Sequence, residues 1–156
     1  MSQARLTIRE FKPEDREEVY GLILSILTTE FKDLPPEHYL ADLRDIESIY
    51  AGARNEFFVA EMDGKIVGTA AVKEEDGKTA LMRRLFVHPH MRGKKVGRKL
   101  VEKIYAFCKE KGYHKVIFTG NHRMQNAKAI LLKLSFKEEE DVLLAGVEIF
   151  RLAHKL

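Results

Sequence analysis

Cysteine occurs once in the 156 residues, at Cys108. No disulfide can close within the chain, so a packed core must supply its stability. That scarcity fits a reducing compartment. Long apolar runs are also missing. The longest, near "LILSIL" and "VLLAGV", are far too short to cross a bilayer as a helix. The N-terminal "MSQARLTIREFKPEDREEVY" has no apolar core and does not read as a secretory signal. The expectation is a soluble, cytoplasmic protein with no membrane partner. An excess of one charge is lacking too: 27 basic residues stand against 24 acidic ones, a net of +3. So mild a balance argues against a whole-surface nucleic-acid footprint. There is no internal repeat, low-complexity tract or linker, and residues 1–156 read as one domain.

What is present is patterned. "LTIREF" (Leu6 to Phe11) alternates like a strand. Behind it, Pro13 fits a first helical turn, and Val19, Leu22, Ile23, Ile26 and Leu27 recur at helical spacing. A second helix is expected from Pro35-Pro36 toward Tyr50. Asp63-Gly64 and Asp76-Gly77 each separate two apolar runs. Asp-Gly in that position is a strong hairpin cue. Three strands near 56–61, 65–73 and 79–87 should therefore form an antiparallel meander. Val96, Leu100, Ile104 and Cys108 then mark an amphipathic helix ending near Gly112. "KVIFTG" reads as a strand reached by a right-handed crossover. "RMQNAKAILLKLSF" reads as a further helix, with Ala127, Ile130, Leu131 and Leu134 on one face. Two last strands fall near Phe136–Glu140 and Val147–Leu152.

Chemistry concentrates in "HPHMRGKKVGRK", residues 88–99. A strand there passes to a helix through a glycine-containing turn. The first turn of a helix carries four unbonded N–H groups and the positive end of the helix dipole. Together they form an anion site. Gly93 and Gly97 let backbone approach a bulky ligand, and Arg92, Lys94, Lys95, Arg98 and Lys99 add charge. Neither G-x-x-x-x-G-K-[ST] nor G-x-G-x-x-G is present. A bare basic loop that only turns a corner is the competing reading.

The stretch "LMRRLFVHPHMRGKKVGRKLVEKIYAFCKEKGYHKVIF" resembles the central segment of the GNAT superfamily of acyl-CoA-dependent N-acetyltransferases. The Val-His-Pro lead, Arg92, Gly93 and Gly97 match its Arg/Gln-x-x-Gly-x-Gly/Ala loop, with Lys95 at a glycine position. "RMQNAKAILLKLSF" is similar to the superfamily's Ala-x-x-x-Tyr-x-Lys-x-Gly-Phe segment. Ala127, Lys133, Leu134 and Phe136 match, while Leu131 stands at the tyrosine position and Ser135 at the glycine position. The resemblance implies an α/β (α+β) fold. Its mixed, mostly antiparallel twisted sheet would have six to seven strands flanked by about four helices.

It also implies acetyl-CoA as co-substrate, in an opening between strands 81–87 and 115–119. Arg92, Gly93, Lys94, Lys95, Val96, Gly97 and Arg98 would hold its pyrophosphate. Leu85, Phe86 and Val87 would pair with its pantetheine by strand addition, and Asn126 would also touch the cofactor. A primary amine, on a small molecule or a protein, would attack directly. A general base would help. Glu61 is the leading candidate, with Glu56, Glu30, His88, His90, His114 and His122 behind it. His88 and His90 alone are poor support for a metal, and none is expected. Leu131 cannot donate the proton that the superfamily's tyrosine supplies. The protein is therefore either an acetyltransferase that releases thiolate unaided or an acyl-CoA-binding module without turnover.

Cys108 reads as a core residue, and Tyr105 and Tyr113 are placed away from the thioester. A third reading takes Arg83, Arg84, Arg92, Lys94, Lys95, Arg98 and Lys99 as a nucleic-acid patch. The lack of interleaved aromatics counts against it, and no nucleic-acid partner is expected. Glu30, Asp33, Glu37, Asp42, Asp45 and Glu47 in the variable N-terminal part would suit a cationic acceptor. A homodimer is the common default.

Overall fold

The computed structural model describes residues 5–31, 40–121, 123–144 and 146–156. An eight-stranded sheet runs through them in the order β1-β2-β3-β4-β5-β8-β6, with β7 paired to β8. The expected meander is present as β1 (Leu6–Glu10), β2 (Glu56–Met62), β3 (Lys65–Glu74) and β4 (Thr79–Val87), all antiparallel neighbours. Asp63 and Gly64 both have positive φ, 53° and 76°, as a two-residue I′ hairpin requires. The second hairpin turns differently. The Asp76 carboxylate accepts from the N–H groups of Lys78 and Thr79, both at 2.8 Å, so a side chain shapes this turn.

Two apolar layers sandwich the sheet. On one face α1 (Arg16–Glu30) packs with Phe57, Val59, Ala71 and Phe86. On the other α3 (Val96–Glu110) packs with Phe58, Ala60, Val72 and Met82. Alternate residues of β2 enter opposite layers, as a pleated strand dictates. Between α1 and β2, a 3₁₀ turn (Ala41–Arg44) and a four-residue α2 (Ile46–Ile49) replace one continuous helix. Asp45, at φ −145° and ψ 53°, separates them. The expected start at Pro35-Pro36 lies outside the described residues.

The parallel pairing expected of the crossover is present. The strand β5 (Lys115–Gly120) follows α3 and runs parallel to β4. Gly68 lets the start of α3 come close to the sheet. A Cβ there would lie 3.0 Å from Leu100 Cδ1 and from the Phe86 carbonyl oxygen, and 3.2 Å from Val96 Cγ1. The helix α4 (Gln125–Lys133) precedes β6 (Lys137–Glu138), β7 (Val142–Leu144) and β8 (Val147–Lys155). The C-terminal part thus holds three strands where the pattern indicated two. The additional β7 is only three residues long, beside an acidic run that hides its pattern.

Candidate functional site

β4 and β5 pair only over Thr79–Leu81 and Lys115–Ile117. Past Leu81 no described strand covers that edge of β4, so backbone groups there face the gap. A cleft of about 970 Å³ fills this gap. Leu85, Phe86 and Val87 line one wall, and Phe118 and Thr119 line the other. Ile26, Leu27, Glu30 and Phe31 of the α1 segment close one side, and Asn126, Ala127 and Ile130 of α4 another.

β4 is not regular. Ala71 pairs with Arg83 and Thr69 with Phe86, so Ala70 faces both Arg84 and Leu85. Two residues against one make a β-bulge. Arg84 takes φ +56°, and its carbonyl accepts from Thr69 Oγ1 at 2.7 Å. The slip switches faces. Met82 packs in the layer under α3, whereas Phe86 packs in the layer under α1, although both positions are even. Arg83 and Arg84, which would diverge in a regular strand, both reach Asp42. Arg84 Nε lies 3.1 Å from Asp42 Oδ2, and Arg84 Nη2 also donates to Asp42 Oδ1. Tyr50 donates its hydroxyl to Oδ2 at 2.9 Å, and Arg83 Nη2 stands 3.8 Å away. Burial acts to raise the Asp42 carboxyl, but Arg84, Tyr50 and Arg83 outweigh it and hold it below its ordinary value. Burial and the Asp42 charge push the Tyr50 hydroxyl well up.

The basic loop closes the outer end of the cleft. Gly93 has φ +78° and Lys95, the N-cap of α3, has φ +66°. Lys99 N–H donates to the Lys95 carbonyl at 3.1 Å. The N–H groups of Lys95, Val96, Gly97 and Arg98 precede that first bond and have no acceptor within the helix. A Cβ at Gly97 would meet only Val87 Cγ2 at 3.6 Å and Ile130 Cδ1 at 4.0 Å, both on cleft-lining residues. Glycine thus keeps the space above these amides open, which fits a bulky phosphate ligand. Arg92 is held by Glu30 through two 2.8 Å contacts, and its Nε donates to the Val87 carbonyl at 3.2 Å.

Of the residues predicted on the cofactor, Leu85, Phe86, Val87, Arg92, Gly93, Lys95, Val96, Gly97, Arg98 and Asn126 line the cleft. Lys94 does not. The structure does not bring Glu61 there. It sits on β2 with Arg9 Nη2 2.8 Å away, tied into an ion pair that also holds Asp15. Glu56 lies at the start of β2, outside the cleft lining, and burial raises its carboxyl. Among the described residues Glu30 is the one carboxylate lining the cleft, and both its oxygens are engaged by Arg92. His88 accepts from the His90 N–H, and His114 lies on a separate surface depression. His122, Asp33 and Glu37 lie outside the described residues. No group of three or more His, Cys, Asp or Glu placed to hold a metal occurs among the described residues.

Leu131 is fully buried in the layer under α3. Tyr105 donates to the Leu134 carbonyl at 2.7 Å and stacks on His154, and Tyr113 donates to the Arg54 carbonyl at 2.8 Å. Neither lines the cleft. Cys108 is buried, and burial pushes its thiol up to about 12. Arg83 and Arg84 face the interior cleft rather than extending the loop's basic surface. Sequence reasoning missed the Asp42–Tyr50–Arg84 network and the Glu30–Arg92 pair. Adjacent arginines at the centre of an apolar strand were the available signal.

Comparison with known proteins agrees with this geometry. Residues 18–135 match the acetyltransferase (GNAT) family. N-acetyltransferase family 8 member 2 of Rattus norvegicus is 29% identical over 127 residues, covering 74% of this chain and 56% of that protein. N-acetylaspartate synthetase of Danio rerio is 32% identical over 111 residues, covering 68% of this chain and 39% of its own length. The chain spans about half the length of the curated relatives it matches. A GNAT-family acetyltransferase of Staphylococcus aureus Mu50 superposes with a TM-score of 0.88 at 24% identity, covering 97% of this chain and 99% of the other. The PaiA N-acetyltransferase of Thermoplasma acidophilum, solved with coenzyme A, gives 0.79 at 20% identity, covering 97% and 99%.

Proposed function

The chain belongs to the acetyltransferase (GNAT) family, and we propose that it transfers the acetyl group of acetyl-CoA to a primary amine in a ternary complex. One observation carries the reading: the uncovered edge of β4 opens on a cleft that ends at the free amides of α3. The pyrophosphate rests on the N–H groups of Lys95 to Arg98, within the positive end of the helix dipole. Lys94 adds charge outside the cleft. The pantetheine arm pairs with the backbone of Leu85 to Val87, as an added strand does. Asn126 closes over it from α4.

A backbone N–H at the bulge polarises the thioester carbonyl. The amine nitrogen bonds to the carbonyl carbon, the carbon–sulfur bond breaks, and CoA leaves as thiolate. The amine's surplus proton passes to water in the cleft. Among the described residues no tyrosine lines the cleft to protonate the sulfur. A thiol with pKa of about 8.5 is a tolerable leaving group near neutrality, so lacking a positioned acid slows the step by roughly 10²–10⁴ without stopping it.

Calorimetric titration with acetyl-CoA should give saturable 1:1 binding, which an Arg92→Glu, Gly93→Glu double variant loses. Thiol release across a panel of amines then reads turnover. Binding without release on any amine would replace the transferase with an acyl-CoA-binding module. No binding at millimolar acetyl-CoA would sink both.

A further inference from the structure

Three of the acids that would have favoured a cationic acceptor are already engaged. Glu30 holds Arg92, Glu47 is paired with Arg16, and Asp42 is held by Arg84 and Tyr50. Among the described residues, what the cleft presents past the bulge is positive. Asp42 carries one charge against two guanidiniums. Arg84 takes it with two donors, and its side chain is only 11% exposed. Arg83 is left at 3.8 Å with its side chain 38% exposed. Apolar Ile26, Leu27, Phe31 and Phe86 line the same cleft. A partly desolvated guanidinium in such surroundings calls for an anion.

That anion is not the pyrophosphate. Arg83 lies four residues before Val87, about 12 Å along the strand, and on the opposite face of the sheet from α3. Arg83 pairs with Ala71 of the α1-side layer, while Val96 at the start of α3 belongs to the other.

On the transferase reading above, we propose that the acceptor is a small amine that also carries a carboxylate, an amino acid or close analogue. Arg83 binds that carboxylate. Asp42 and Arg84 position Arg83, and Tyr50 fixes Asp42. A lysine-like cation is repelled from the same place.

Paired acceptors test this: amino acids, each beside its amide and its decarboxylated amine. Two readouts are taken on the full chain, calorimetric binding to protein saturated with CoA, and thiol release with acetyl-CoA. The amino acids should win by roughly ten- to hundredfold, the range of a hydrogen-bonded charge pair. Arg83→Gln should bring the ratio near one, mainly through KM, and Arg83→Lys should fall between. Equal use or binding of amide and amino acid by the unaltered chain overturns the proposal, as does absence of binding by any of them. Carboxylate-dependent binding that Arg83→Gln removes, without any thiol release, upholds the site and removes the transferase reading instead.

Discussion

Lys95 and Ser135 stand where the superfamily's pattern has glycine, yet both keep a glycine-like backbone, with φ of +66° and +75°. Lys95 caps α3 and Ser135 follows α4. The departures from pattern were visible in the sequence. Their backbone angles were not, because φ is set by how the helix must leave the sheet. A side chain in the left-handed region costs about 1–3 kcal/mol. Glycine would remove that strain while losing about 0.5–1 kcal/mol to its freer unfolded chain. Lys95→Gly and Ser135→Gly should each gain about 1 kcal/mol, or about 2–4 °C in Tm for a chain of this size. Thermal unfolding without ligand reads this, and a loss at both sites would mean their side-chain contacts outweigh the strain.

At the scale of the element, β4 divides what periodicity reveals from what it hides. Its span, its hairpin with β3 and the crossover to β5 were legible, because turn residues and alternation mark them locally. The bulge was not, since it exists only in register with β3. Nor was the burial of Asp42, which comes from Tyr50 on one side and Arg84 of a distant strand on the other. Glu61 looked available for the same reason: its partner Arg9 comes from β1.

The Asp42 network has a pH signature. Its folded carboxyl is held below the ordinary value near 3.8. The stabilisation it gives is therefore complete above about pH 4 and fades as pH falls through the lower folded value. Asp42→Asn removes it at every pH and leaves Arg84 without a counter-charge, a cost of about 3 kcal/mol at pH 7. Urea unfolding should show a wider gap between the two proteins at pH 7 than at pH 3, closing further as pH falls. A gap that stays constant would mean Asp42 acts by packing, not charge.

For the whole molecule, the two layers give the cleft two sides, with the basic loop on the α3 side and the arginine pair on the α1 side. Glu30 bridges this arrangement, reaching from the end of α1 to the loop's own Arg92. The pair has a consequence for binding. Any phosphate that uses Arg92 must compete with a carboxylate already there. A ligand that binds only the folded chain stabilises it by about 2.7 kcal/mol at a hundred times its Kd. Acetyl-CoA at that excess should therefore raise Tm by about 5–10 °C. Glu30→Gln weakens the competitor without adding a contact, so its shift at equal acetyl-CoA should be larger. The enhancement should shrink in high salt, which screens exposed charges. A smaller shift in Glu30→Gln than in the unaltered chain would reverse the roles. Glu30 would then be the residue that holds the loop in its binding shape, and Arg92 would serve the fold before it serves the ligand.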